Sequence, residues 1–229
     1  MIDKDLIKEC GALELGENII LLSIIGEVEG HDALPSGVKS TKYELIIPLI
    51  SAIEDDKNIK GLLLIIQSNG GDCSAGLAIA EMIAGLSKPT VSLVVGDSHS
   101  IAVPLATSTN YSYIAESGTM LIHPVRISGT IIGVPQTFEH FKIIQDRIVD
   151  FICSHSNVSK KRIEELMLSK TVLTRDIGTI LVGKETVDEG IIDSVGNIHT
   201  ALRKLHTLIG NDWKEVLKSL CIFGKININ

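Results

Sequence analysis

Leu62-Leu63-Leu64-Ile65-Ile66-Gln67-Ser68-Asn69-Gly70-Gly71 opens with five aliphatic residues and closes on a glycine pair. A short run without charge reads as a strand buried on both faces. Gly70-Gly71 ends it where the backbone takes dihedral angles that side chains disfavour. Ser74 to Leu86 then sets Leu77, Ala80, Ile83 and Ala84 on one face of a helix. Working outward, Ile19 to Ile25 is a second buried strand and Glu27 to Ser40 a polar loop bearing Gly and Pro. Tyr43 to Glu54 is an amphipathic helix carrying Leu45, Ile46, Leu49, Ile50 and Ile53. Downstream come a strand at Thr90 to Val95, a short apolar helix at Ile101 to Thr107, and strands at Tyr111 to Ile114 and Thr119 to Ile122. Strands alternating with helices predict an α/β fold with a mainly parallel sheet and right-handed crossovers.

Three segments at the ends of these strands fit one active site: Asn69-Gly70-Gly71, Ser98-His99-Ser100-Ile101 and Leu121-Ile122-His123-Pro124. Together they supply backbone N–H groups for an oxyanion and a Ser and His able to meet, which is what acyl transfer requires. Ser100 heads the Ile101 to Ala106 helix, whose dipole favours developing negative charge. The expected donors are the backbone N–H groups of Gly71 and Ile101. Gly96-Asp97-Ser98-His99-Ser100 resembles a nucleophile elbow centred on Ser98, but that motif needs glycine where Ser100 stands. His123 is the expected base, its neutral imidazole suited to proton abstraction near pH 7. His99 adjoins Ser100 and so points elsewhere, lining the pocket or bonding to backbone. His31, His140, His155, His199 and His206 sit in polar or helical surface contexts and are assigned no chemistry.

The 229 residues fit one domain, expected to span 1–229. Apolar residues make up 45% of the chain but aromatics only 3%, so Ile, Leu, Val and Ala must build the core. A net charge of −7, with no Lys/Arg-rich run, argues against a nucleic-acid binder. The aliphatic runs fall far short of the roughly 20 residues a membrane span needs. Met1 to Cys10 is charged and shows no secretory pattern. Cys10, Cys73, Cys153 and Cys221 are scattered without metal-ligand spacing, which fits a reduced, cytoplasmic setting. No metal site is expected.

After His123-Pro124, Ser128 to Gly133 is polar and Gly-bearing, a segment expected to pair with an extended substrate strand. A long helix follows from about Pro135 to His155, with Phe138, Phe141, Ile144, Ile148 and Phe151 in one stripe. Pro135 suits its first turn, where the missing N–H costs nothing. Asp212 to Leu220 reads as a short helix within a C-terminal tail, 211–229.

Ser68-Asn69-Gly70-Gly71 followed by Ala75-Gly76 resembles the Gly-Gly loop of the proteolytic subunit of the Clp protease. Gly96 through Ser100-Ile101 is similar to that family's nucleophile segment, and Met120-Leu121-Ile122-His123-Pro124 to its catalytic His segment. Gly190-Ile191-Ile192-Asp193-Ser194-Val195 resembles its closing strand, so the likeness covers about residues 18–206. Thr41-Lys42-Tyr43-Glu44, Ile122-His123-Pro124-Val125-Arg126, Gly133-Val134-Pro135-Gln136-Thr137-Phe138 and Leu173-Thr174-Arg175-Asp176-Ile177-Gly178-Thr179 look like the translocation-enhancing protein (TepA) branch.

The resemblance implies a ClpP/crotonase-like spiral of repeated ββα units, with the helix at 134–155 projecting like a handle. It also implies a ring-like homo-oligomer and a serine peptidase in which Ser100 is nucleophile and His123 base. The third member departs from the family pattern. One register puts Lys170 in the acid's place and another puts Gly178 there, while Asp176 is the nearest carboxylate. Asp176 orients the imidazole in a triad, or Ser100 and His123 act as a dyad. No cofactor is implied. Two other classes stand beside the peptidase: a ClpP-like scaffold that assists preprotein translocation, with secretory preproteins or export machinery as partners at the membrane periphery, and a crotonase-type acyl-CoA enzyme with a similar oxyanion hole.

Overall fold

The computed structural model describes residues 7, 9–126, 134–169 and 177–210. Among these, nine strands form one sheet. Its main path runs β1 (Ala12–Leu15), β2 (Ile19–Glu29), β4 (Gly61–Gly71), β5 (Thr90–His99), β6 (Tyr111–Ile114) and β9 (Ser194–Val195). β3 (Ser40–Lys42) pairs with β2, and β7 (Thr119–Ile122) lies between β5 and β8 (Thr179–Val182). Among the described residues only β1–β2 and β7–β8 are antiparallel. The mixed α/β, mainly parallel architecture is the one the alternating pattern predicts.

Both faces of the sheet are covered, which is why its central strands read as continuous aliphatic runs. Leu62, Leu64 and Ile66 point toward α1 (Tyr43–Asp55), α2 (Cys73–Ala84) and α3 (Ala102–Thr107), where the larger core gathers. Leu63, Val91 and Leu93 point the other way, onto Ala201 and Leu205 of α7 (Ile198–Ile209). Gly61 permits that contact, since a Cβ there would meet Leu205 and Ile209 side chains at about 3 Å.

The strands outrun the aliphatic segments. β2 continues to Glu29, so the predicted loop from Glu27 is shortened, because Glu27 and Val28 pair with Gly70 and Gly71 beyond a register shift. Backbone pairing with a neighbour, rather than apolar side chains, carries a strand there. α4 (Pro135–Ser154) starts at Pro135 as expected. Its second half is packed, with Ile148, Val149, Phe151 and Ile152 buried, whereas Phe138 in the first half is 73% exposed. α5 (Lys160–Leu168) and α6 (Lys184–Asp188) complete the chain order. Segment 128–133 and the tail 211–229 lie outside the described residues, as do Lys170 and Asp176.

Candidate active site

β4 ends in two glycines held in conformations that favour glycine, Gly70 with φ +97° and Gly71 with φ +147°. Close approach demands them as much as φ does. A Cβ on Gly70 would lie 2.7 Å from Ser100 Cβ and 2.8 Å from the His99 carbonyl oxygen, and one on Gly71 2.3 Å from the Val28 carbonyl oxygen. The next residue, Asp72, caps α2 by accepting the Ala75 N–H at 2.7 Å. A Cβ on Gly76 would meet Ile101 Cγ1 at 2.5 Å, so α2 packs directly over the residue after Ser100.

Ser100 leaves β5 with φ +57°. For a residue with a Cβ this left-handed conformation costs on the order of 1–2 kcal/mol, so the surroundings must impose it. Its N–H donates to the Leu121 carbonyl at 2.9 Å and its carbonyl accepts the Val103 N–H at 3.0 Å. Ser98, the rival hydroxyl, is fully buried and donates to the Ala102 carbonyl at 2.8 Å. Ile101, buried, is the residue from which α3 starts.

His123 follows β7, with Nδ1 2.6 Å from the Pro124 carbonyl oxygen. Nδ1–H donating to that oxygen leaves Nε2 as the basic nitrogen. Ser100 and His123 line one cavity with Val103, Ile148, Ile152 and Met167. Its volume of about 20 Å³ admits roughly one water-sized group. Cys73 lines it too, a neighbour that no motif marks. A larger cavity of about 450 Å³, bordered by Cys10, Ser23, Thr41 and Lys42, holds neither Ser100 nor His123. Size therefore does not locate the chemistry.

His99 does not line the Ser100 cavity and does not seek backbone. Its Nε2 lies 2.7 Å from Thr119 Oγ1, and that hydroxyl donates to Asp97 Oδ1 at 2.8 Å. The Thr119 bond, with help from Gln67, holds the Asp97 carboxyl below the usual carboxylate range. Burial pushes the His99 imidazole down, against the pull of Asp97. His206 is also unlike its predicted surface context, being buried on α7.

A family model for the Clp protease matches residues 28–199, three quarters of the chain and every strand from β3 to β9. The chain belongs to the Clp protease family. It is 54% identical over 192 residues to the translocation-enhancing protein TepA of Halalkalibacterium halodurans, an alignment covering 84% of this chain and 75% of that protein. It is 26% identical over 239 residues to the Methanocaldococcus jannaschii protein named "Putative protease MJ0651", covering 89% and 74%. Membership agrees with the resemblance read from the glycine, serine and histidine segments, and the TepA likeness agrees with the finer motifs. Among the described residues of this family member, no helix is long and apolar enough to cross a membrane.

Proposed function

We propose that the protein is a serine peptidase that hydrolyses peptide bonds at Ser100. The observation that carries the reading is Ser100 itself. It is held in a left-handed turn between the glycine pair and the end of β7, and opens on a cavity shared with His123. Ser100 Oγ attacks the peptide carbonyl while His123 Nε2 takes its proton. The proton passes to the leaving amine, and water then releases the acyl group by the same route. Backbone N–H groups of Gly71 and Ile101 stabilise the oxyanion, each donor worth about 3 kcal/mol in such sites. Asp176 is assigned to orient the imidazole. It is the carboxylate nearest in sequence to Gly178, which lies against His123. No step needs a metal or an organic cofactor. The natural setting is cytoplasmic, in a homo-oligomer acting on peptides or unfolded chains.

The TepA relative's name and the glycine beside His123 favour a second reading, a ClpP-like scaffold that binds secretory preproteins and assists their translocation. A crotonase-type acyl-CoA enzyme is less well supported, because its two-amide oxyanion hole does not require the Ser100–His123 pairing. A fluorophosphonate probe separates these. The peptidase reading expects a covalent adduct on the peptide bearing Ser100, lost in Ser100→Ala and retained in Ser98→Ala. Equal labelling of wild type and Ser100→Ala, or none of either, overturns it.

A further inference from the structure

The ladder joining β5 to β7 is three residue pairs long: Asp97 with Thr119, Ser98 with Met120 and His99 with Leu121. Ser100 follows directly on β5 and His123 directly on β7, so this ladder sets where the two stand relative to each other. A slip of one residue would displace them by about 3.3 Å and turn every side chain to the opposite face. Side chains on the face away from the cavity tie the ladder down. Gln67 Nε2 donates to Asp97 Oδ2 at 2.9 Å, and Gln67 Oε1 accepts the Asp97 N–H at 3.1 Å. Gln67 lies so closely over β5 that a Cβ on Gly96 would meet its Oε1 at 1.8 Å. The Thr119 hydroxyl spends its proton on Asp97, so its oxygen accepts from His99 Nε2–H. The chain Gln67–Asp97–Thr119–His99 thus binds β4, β5 and β7 at the level of Ser100.

We propose that His99 is a positioning residue for Ser100: its bond to Thr119 pins the β5–β7 register and holds the Ser100 turn. His99 touches no reacting atom. Thr119 sits opposite Asp97, so the imidazole reaches back two residues along the partner strand, a diagonal brace that resists sliding where backbone pairs alone are few. The catalytic consequence rests on the reading of Ser100 as nucleophile; the structural one does not.

The test reads both. Exchange of the Ser100 amide proton, which is bonded to the Leu121 carbonyl, is measured in the full-length protein. His99→Leu is expected to speed it at least about tenfold while core amides of β4 keep their protection. His99→Gln, whose amide N–H reaches about as far as Nε2, is expected to stay within about threefold of wild type. Fluorophosphonate inactivation supplies the second readout. His99→Leu should lower kinact about tenfold with KI unchanged, and Thr119→Val, which also serves if His99→Leu does not fold, should match it. The double variant should be no worse than either single one, because both remove one link. Unchanged Ser100 exchange in His99→Leu overturns the inference, as does uniformly faster exchange across the core. Faster Ser100 exchange in a protein whose wild type takes no probe supports the brace and rejects Ser100 as nucleophile.

Discussion

Gly178 lies directly against His123: a Cβ on Gly178 would sit 2.9 Å from His123 Cβ and 2.7 Å from the Ile122 carbonyl oxygen. Its N–H donates to the Ser169 carbonyl at 2.9 Å, and its φ of +143° suits glycine. Any side chain there would push His123 away from the cavity. Gly178→Ala is expected to lower the fluorophosphonate labelling rate at least tenfold and to cost about 1–3 kcal/mol of stability. Chemical denaturation beside a labelling time course checks both effects.

Of the two residues that the alignments put in the acid's place, Gly178 is the one described, and it lies against the Cα and Cβ of His123. An acid acting on His123 must come from elsewhere, and Asp176 is the assigned source. Asp176→Asn should slow labelling by two orders of magnitude or more, since the imidazolium loses its charge partner, roughly as in other serine triads. Lys170→Ala should label at the wild-type rate. A wild-type rate for Asp176→Asn would identify a Ser-His dyad braced by the Pro124 carbonyl. Loss of labelling in Lys170→Ala alone would point to a Ser-Lys mechanism.

The first half of α4 exposes Phe138 and Ile143, apolar side chains that one chain leaves uncovered. We expect a second copy to cover them. Phe138→Asp combined with Phe141→Asp should lower the mass measured by light scattering without changing the circular dichroism of the fold. A wild-type protein that is monomeric at micromolar concentration contradicts this expectation.

Acid should weaken the fold in two stages. His99 is harder to protonate when folded than when unfolded, because burial opposes its charge. The unfolded chain thus takes up the proton first, and stability falls as pH drops below about 6.5. Asp97 is easier to ionise when folded, so its contribution is complete above the ordinary carboxylate range and disappears only as pH falls through its depressed pKa. Melting temperatures across this range should show His99→Gln losing less stability than wild type in the first stage and as much in the second.

Strands buried on both faces were the most legible part of the sequence, because Leu62 to Ile66 must satisfy two cores at once. Ser100 and His123 were legible through spacing and motif. α7 was not read, although Asn197 and Thr200 form a reciprocal capping box and Gly210 closes the helix with φ +88°. Its polar entry residues and its apolar stripe, Ile198, Ala201, Leu202, Leu205 and Ile209, both carry the signal. β8 was missed as well: Thr179 to Val182 alternates weakly and gains its identity only from pairing with β7. The His99 network was invisible for a different reason. Gln67, Asp97 and Thr119 come from three strands, and parallel pairing alone makes them neighbours.

The antiparallel pairing of β8 with β7 also has a consequence in time. As the chain leaves the ribosome, the glycine pair emerges first, and the Ser100 turn gains the Leu121 carbonyl that holds it once β7 is made, by Ile122. β7 gains its outer neighbour only when Thr179–Val182 is made, about sixty residues after Ile122. At roughly 5–20 residues per second, that is a delay of about 3–12 s. Under the peptidase reading, a nascent chain carries its nucleophile through that interval without a secured base.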